Sequence, residues 1–161
     1  MPETTVRPIH RIAQELAQSS GFLLARLGMG FKTRAIARAD EAGFELYDYS
    51  VLAILAEGDR ETQSTIAATM SLDPSRLVAL LDSLEERALI VRQRDPHDRR
   101  RHVVSITGDG KRELRKLRGL IREVEEEFFG ALGEDERRVF HELLLRLAAK
   151  NDPTCFYTSD S

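Results

Sequence analysis

Residues 89–107 read LIVRQRDPHDRRRHVVSIT. Two short β-branched runs, LIVRQR and HVVSIT, flank a stretch of Asp, Pro and Arg, which is the pattern of two strands joined by a loop. The loop is too long for a tight two-residue turn. Within residues 92–102, five arginines and two histidines crowd into eleven positions, broken by Asp95, Pro96 and Asp98, in a chain whose formal net charge is −3. A basic hairpin set among helices decides which fold those helices belong to.

The charge is local. Residues 85–118 hold eleven Arg and Lys against six Asp and Glu, a balance of +5 that leaves −8 on the rest of the chain. A polyanion meets the segment and not the average, so an acidic total does not exclude an anionic partner. With 161 residues, 42% of them hydrophobic and 32% charged, the simplest organisation is one domain, or one domain with an appended helical part. No run of 18 apolar residues occurs, so no membrane span is expected. The first residues, MPETTVRPIHR, lack the basic-then-apolar order of a secretory signal and point to the cytoplasm. Cys155, the single cysteine, excludes an intrachain disulfide and is either incidental, a reactive thiol or an intermolecular link.

Outside the hairpin, apolar residues recur at helical spacing. Residues 9–43 read as two helical stretches broken at Ser19-Ser20-Gly21, and 47–57 as a short helix stopped by Gly58. Thr62 can cap TQSTIAATM, which ends near Ser71. Asp73-Pro74, an N-cap acceptor followed by proline, opens a helix that runs to about Arg87. After the hairpin and Gly108-Asp109-Gly110, helices are expected over 111–132 and 134–149, with a polar tail over 151–161. The fold class is therefore mainly α with a small β-hairpin.

In the helix PSRLVALLDSLEER, Leu77, Leu80, Leu81 and Leu84 share one face and form a core stripe. Ser75, Arg76, Val78, Ala79, Asp82 and Ser83 lie opposite, small or flexible where an ordinary solvated face carries Glu and Lys. The helix before it joins through Ser71-Leu72-Asp73, a turn short enough for a helix-turn-helix whose second helix enters a major groove. Helical pairs are common, and the hairpin is what adds weight. An arginine among Arg99, Arg100 and Arg101 can enter a narrow minor groove, while Arg92 and Arg94 can bind phosphates. A merely solvated charged loop is the alternative.

These residues carry a resemblance. From 48 to 117 the chain resembles the winged-helix domain of the MarR family of transcriptional regulators, in TQSTIAATMSLDPSRLVALLDSLEERALIVRQ and then in DPHDRRRHVVSITGDGKREL. The latter is similar to the family's wing signature: Asp-Pro-x-Asp-Arg-Arg, a strand ending in an aliphatic-Thr pair, then Gly. FLLARLGMGFKTRAIARADEAGF at 22–44 resembles the family's first helix, and residues before about Ser19 look like an extension. The resemblance implies a winged helix-turn-helix over 47–108, N-terminal helices for dimerisation and a ligand cleft over 1–46, and C-terminal dimerisation helices over 109–150.

It also implies roles. Ser75, Arg76 and Ala79 fall on the recognition helix, with Thr62, Gln63 and Ser64 at the start of the preceding helix also facing DNA. Arg100 falls where the family places its minor-groove arginine, beside Arg94, Arg99 and Arg101, and Asp98 where it braces the wing; a carboxylate there can hold arginine side chains or loop amides. Ala88 departs from the family's usual glycine, so the exit of the recognition helix is expected to differ. Val78 and Ala79 stand where polar residues are frequent.

Leu114, Leu117, Ile121, Val124 and Phe128 follow 3-4 spacing, a seam for another helix that Leu120, Phe129 and Leu132 widen. Val139, Phe140, Leu143, Leu144 and Leu147 form a second stripe. The resemblance implies a homodimer on double-stranded DNA with a pseudo-palindromic operator, the alternative for these stripes being core packing within one chain. It further implies a small aromatic, often anionic effector in a cleft lined by Phe22, Arg26, Met29, Gly30, Tyr47 and Tyr49, with His10 and Arg11 as alternative anion partners. Core packing for the aromatics and solvation for Arg26 are the plainer roles.

His10, His97, His102 and His141 show no metal-ligand spacing, and neither a phosphate-cradling motif nor a nucleophile elbow is present. No cofactor and no enzymatic activity are expected. The expected function is a ligand-responsive transcriptional repressor; a winged-helix protein-interaction module is the alternative.

Overall fold

The computed structural model describes residues 11–58, 60–152 and 154. His10 and Cys155 lie outside them. In chain order the elements are α1 (Gln14–Ala17), α2 (Ser20–Glu41), α3 (Leu46–Gly58), β1 (Glu61–Thr62), α4 (Gln63–Met70), α5 (Pro74–Glu86), β2 (Ile90–Arg94), β3 (His102–Ile106), α6 (Gly108–Phe128) and α7 (Glu134–Asn151).

Helix starts follow side-chain caps. Ser19 accepts the Phe22 amide at 3.2 Å. Thr62 accepts that of Thr65 at 3.1 Å, and Asp73 that of Ser75 at 2.9 Å. Thr107 caps α6 by accepting the Gly110 amide at 3.0 Å. That last cap corrects the expected boundary: Gly108, Asp109 and Gly110 are the first turn of α6 and not a loop before it. Gly110 is required there, since a Cβ on it would lie 2.7 Å from Ile106 Cγ1 and closer still to the Leu89 carbonyl oxygen.

Three helices end in the same way. Gly43, Ser71 and Ala88 adopt positive φ values of 76°, 51° and 57°. In each case the next amide reaches five residues back: Phe44 to Ala39, Leu72 to Ala67 and Leu89 to Leu84, at 3.0 Å each. This is the Schellman arrangement, with an apolar residue folded under the helix end. The exit from α5 thus keeps the glycine geometry with alanine in it, contrary to the altered exit expected from sequence. A left-handed conformation costs an L-residue roughly 1–2 kcal/mol, and glycine's freedom in the unfolded chain offsets roughly 0.5–1 kcal/mol. Ala88→Gly is therefore expected to stabilise the fold by about 0.5–1 kcal/mol. An unchanged or lower urea midpoint would count against strain at this position.

β2 and β3 pair antiparallel from Ile90↔Ile106 to Arg94↔His102, and β1 adds a third strand through Glu61↔Val104 and Thr62↔Val103. The sheet order is β1-β3-β2. The core gathers Val51, Leu52 and Leu55 of α3, Ile66 of α4, Leu77, Leu80, Leu81 and Leu84 of α5, Ile90 and Val104 of the sheet, and Leu114 and Leu117 of α6.

The seam on α6 is core of its own chain: Leu114, Leu117, Ile121 and Val124 are buried where α6 packs along α2 and α3. Phe31 of α2 meets Phe128 edge-on at 5.5 Å and stacks near Phe129 at 6.2 Å, and Phe129 lies 5.7 Å from Phe140 of α7. Arg38 bridges α2 to Glu123 of α6 at 2.8 Å. The second stripe behaves differently. α7 has no buried residue, and Val139, Phe140, Leu143 and Leu147 are exposed, as are Leu23, Leu24 and Leu27 on α2.

Candidate nucleic-acid interface

α5 runs from its Asp73 cap with Leu77, Leu80, Leu81 and Leu84 turned into the core, which leaves Ser75, Arg76, Val78, Ala79 and Asp82 exposed. At 100° per residue, Ser75 and Glu86 point most directly away from the core, with Ala79 close beside them; Arg76 and Arg87 share one edge, and Val78, Asp82 and Glu85 lie toward the other. Each edge is tied to a neighbouring element.

The Arg76 guanidinium lies 4.8 Å from the centre of the Tyr47 ring, and that of Arg87 lies 4.0 Å from the centre of Phe44. Arg87 also pairs with buried Asp48 at 3.5 Å, whose carboxylate accepts the Glu45 amide at 2.9 Å. Burial pushes the Asp48 carboxyl up from its ordinary value, while the Glu45 amide and Arg87 pull it down. Its Oδ1 has no hydrogen-bond partner among the described residues.

On the opposite edge Arg92 joins the hairpin to α5. Its backbone amide donates to Glu85 Oε1 at 3.0 Å, its Nε to Glu85 Oε2 at 2.9 Å, and its Nη2 to Asp82 and Glu85 at 2.6 Å each. The hydrogen bond from Arg92 holds the Glu85 carboxyl below its ordinary value. Arg92 is thus a clamp and not the free phosphate contact expected from sequence. The reading missed it because both carboxylates lie on a different element, seven and ten residues earlier.

The hairpin loop is built from Asx turns. Asp95 Oδ1 accepts the His97 amide at 2.8 Å across Pro96, and the Asp95 amide donates to the Arg101 carbonyl at 2.9 Å. Asp98 then opens a β-turn whose central residues are Arg99 and Arg100. Its side chain accepts the Arg100 amide at 3.0 Å, its carbonyl accepts the Arg101 amide at 2.9 Å, and its carboxylate faces Arg101 Nε at 3.4 Å. Asp98 therefore holds both a loop amide and an arginine side chain. Arg94, Arg99, Arg100 and Arg101 are all exposed.

At the start of α4, Thr62 is occupied as a cap and Ser64 is exposed. Gln63 lines a shallow cavity of about 390 Å³ with Glu85, Arg92 and His102, which places it at the wing root. These residues form one continuous region: the start of α4, α5, the clamp and the hairpin loop.

The expected ligand residues are not gathered in the same way. Along the first half of α2, Phe22 is half-buried, Arg26 and Gly30 are exposed, and Met29 is 73% exposed, while Arg11 is exposed ahead of α1. Tyr47 and Tyr49 pack against the core from α3. The cavities at α6–α7, at Arg92 and at Leu132–Leu143 draw on none of them. No group of three or more His, Cys, Asp or Glu among the described residues is placed to hold a metal ion, and none of the described helices is long and apolar enough to cross a membrane.

The profile of the MarR family matches residues 42–101, the span from Schellman turn to wing. A MarR-family regulator of known structure from Rhodococcus sp. RHA1 is 31% identical, with a TM-score of 0.75, and the match covers 84% of this chain and 96% of that one. The chain belongs to the MarR family of transcriptional regulators. A relative from Thauera aromatica, named for regulation of the hcr operon, is 32% identical over 66% of this chain, which spans only 64% of that protein's length. CouR of Rhodococcus jostii RHA1 is 28% identical. Its structure with p-coumaroyl-CoA has a TM-score of 0.72 and covers 86% of this chain and 98% of its own. Its structure as a repressor on a 23-mer DNA duplex has a TM-score of 0.77, with coverage of 87% and 99%. The arrangement of α5 and the wing is thus that of MarR-family proteins, and the Asp98 turn and the Arg92 clamp are how this member builds it.

Proposed function

We propose that this MarR-family chain is a homodimeric, sequence-specific repressor that binds a pseudo-palindromic operator and is released by a small aromatic, anionic effector. The observation that carries the reading is the Arg92 clamp, which ties a wing presenting Arg99 and Arg100 to the exposed, small-residue face of α5. Residues 47–108 then form the DNA-binding unit, and 1–46 with 109–150 the dimerisation region. The CouR structures with DNA and with an aromatic acyl thioester support both partners.

In this reading Thr62, Gln63, Ser64, Ser75, Arg76 and Ala79 approach the major groove. Arg94, Arg99 and Arg101 bind the backbone, Arg100 probes the minor groove, and Asp98 braces the turn. A titration of the chain's own promoter duplex against a shuffled duplex, across salt, tests it. Specific binding that weakens with salt is expected, and Arg100→Ala is expected to weaken it by about 1–3 kcal/mol. Equal binding to both duplexes would sink the reading.

The proposed effector cleft uses the first half of α2, which one chain leaves exposed and a second copy would complete. Phe22, Met29, Gly30, Tyr47 and Tyr49 would supply apolar walls, and Arg26 the carboxylate contact, with His10 or Arg11 as the alternatives. Aromatic acids are expected to raise the melting temperature of the wild type more than that of Arg26→Ala. Equal shifts would remove Arg26 from the site. For release, the effector must bind a non-operator geometry of the dimer more tightly than the operator-competent one.

A further inference from the structure

Most polar groups on the exposed side of α5 are already engaged within the chain. Asp82 is held by Arg92 at 2.6 Å. The Ser75 hydroxyl donates to Asp73, the helix cap. The Arg76 guanidinium rests on Tyr47. Ser83 and Glu86 are exposed without a partner among the described residues, but on the edge shared with Asp82 and Glu85 the side chain left without one is apolar: Val78, which is 44% exposed. A β-branched residue is a weak helix former, and its exposure here gains nothing from core packing.

We propose that Val78 is a specificity-determining residue that reads a pyrimidine C5-methyl group, thymine's in unmodified DNA. Thymine alone among the four bases presents an apolar group in the major groove, and an aliphatic side chain is its natural complement. Val78 lies on the edge of α5 that also carries Asp82 and Glu85, the edge fastened to the wing root by Arg92. DNA gripped by the wing arginines would pass over that edge. Because Arg92 compensates one of the two negative charges of Asp82 and Glu85, the carboxylates beside Val78 repel the phosphates flanking the thymine less. This inference rests on the DNA-binding reading above.

The test separates the two. Duplexes are selected from a randomised pool with the wild-type chain, and each dT of the selected site is then replaced by deoxyuridine, which removes only the methyl group. At the position facing Val78, the loss is expected to be about fourfold per half-site, the contribution of one buried methyl. In Val78→Ala, whose fold is checked by circular dichroism, that penalty is expected to vanish, and in Val78→Ile to persist. The assignment is overturned if no deoxyuridine matters, or if every penalty is the same in Val78→Ala as in the wild type. A pool in which no sequence is enriched would overturn the DNA-binding reading itself.

Discussion

Arg92→Ala is expected to lower operator affinity by about one to two orders of magnitude, as much as losing a specific base contact or more. Two effects act together. The wing loses its only ion-paired tie to α5 among the described residues, so Arg99 and Arg100 are no longer delivered at a fixed distance from the recognition helix. Asp82 and Glu85 also become uncompensated carboxylates on a surface that must approach phosphates. Arg92 is largely covered, with a side chain 20% exposed, whereas Asp82 and Glu85 are 51% and 37% exposed. The loss of folding stability is therefore smaller than for a fully buried pair, about 1–2 kcal/mol. Arg92→Lys is expected to fall in between, because an ammonium cannot present the planar fork that meets Glu85 through Nε and Nη2. Wild-type affinity in Arg92→Ala would show that the clamp is incidental.

The same clamp has a pH signature. Glu85 titrates below its ordinary value of 4.5 in the folded chain because Arg92 donates to it. Its stabilisation is complete above the unfolded value and is lost as pH falls through the depressed folded one. Arg92→Ala should remove that part of the acid limb in urea melts recorded below about pH 4.5. Asp48 acts in the opposite sense: its raised value favours the folded state as it takes up a proton.

The second large effect is expected at α7. If the chain is the proposed dimer, Leu143→Glu with Leu147→Glu is expected to convert it to monomer and abolish specific operator binding. An 18-residue helix with no buried residue and with Val139, Leu143 and Leu147 exposed is only weakly stabilised by its own chain. Each leucine buried in a symmetric interface contributes ~1.5–3 kcal/mol, and the pair appears twice, so the loss is at least about 6 kcal/mol, or some four decades in dimer affinity. Sedimentation at micromolar concentration reads it directly. A dimer that persists would move the interface to the exposed leucines of α2.

The sequence was most informative where structure is local. Thr62, Asp73 with Pro74, the α5 leucine stripe and the two arms of the wing each follow from a few adjacent residues. β1 was not legible: two residues, Glu61 and Thr62, become a strand only because β3 offers a free edge. The positions of the helix ends near Ser71 and Arg87 were legible, but the left-handed turns at Ser71 and Ala88 were hidden because neither residue is the glycine such a turn normally signals. The α6 periodicity was correctly read as a seam, but periodicity does not reveal which helix fills it, and here α2 and α3 do. The partners of Arg92 and Arg76 depend on how α5 is rotated against its neighbours, which no spacing encodes. Arg92 therefore passed for a phosphate ligand, and the ring of Tyr47 beneath Arg76 went unseen.

The most direct test of the central claim is a hydroxyl-radical footprint of the full chain on its own promoter. Two symmetric sets of protections about one helical turn apart are expected, with minor-groove protections that disappear selectively in Arg100→Ala. A uniform cleavage pattern, or a footprint identical in wild type and Arg100→Ala, would contradict it.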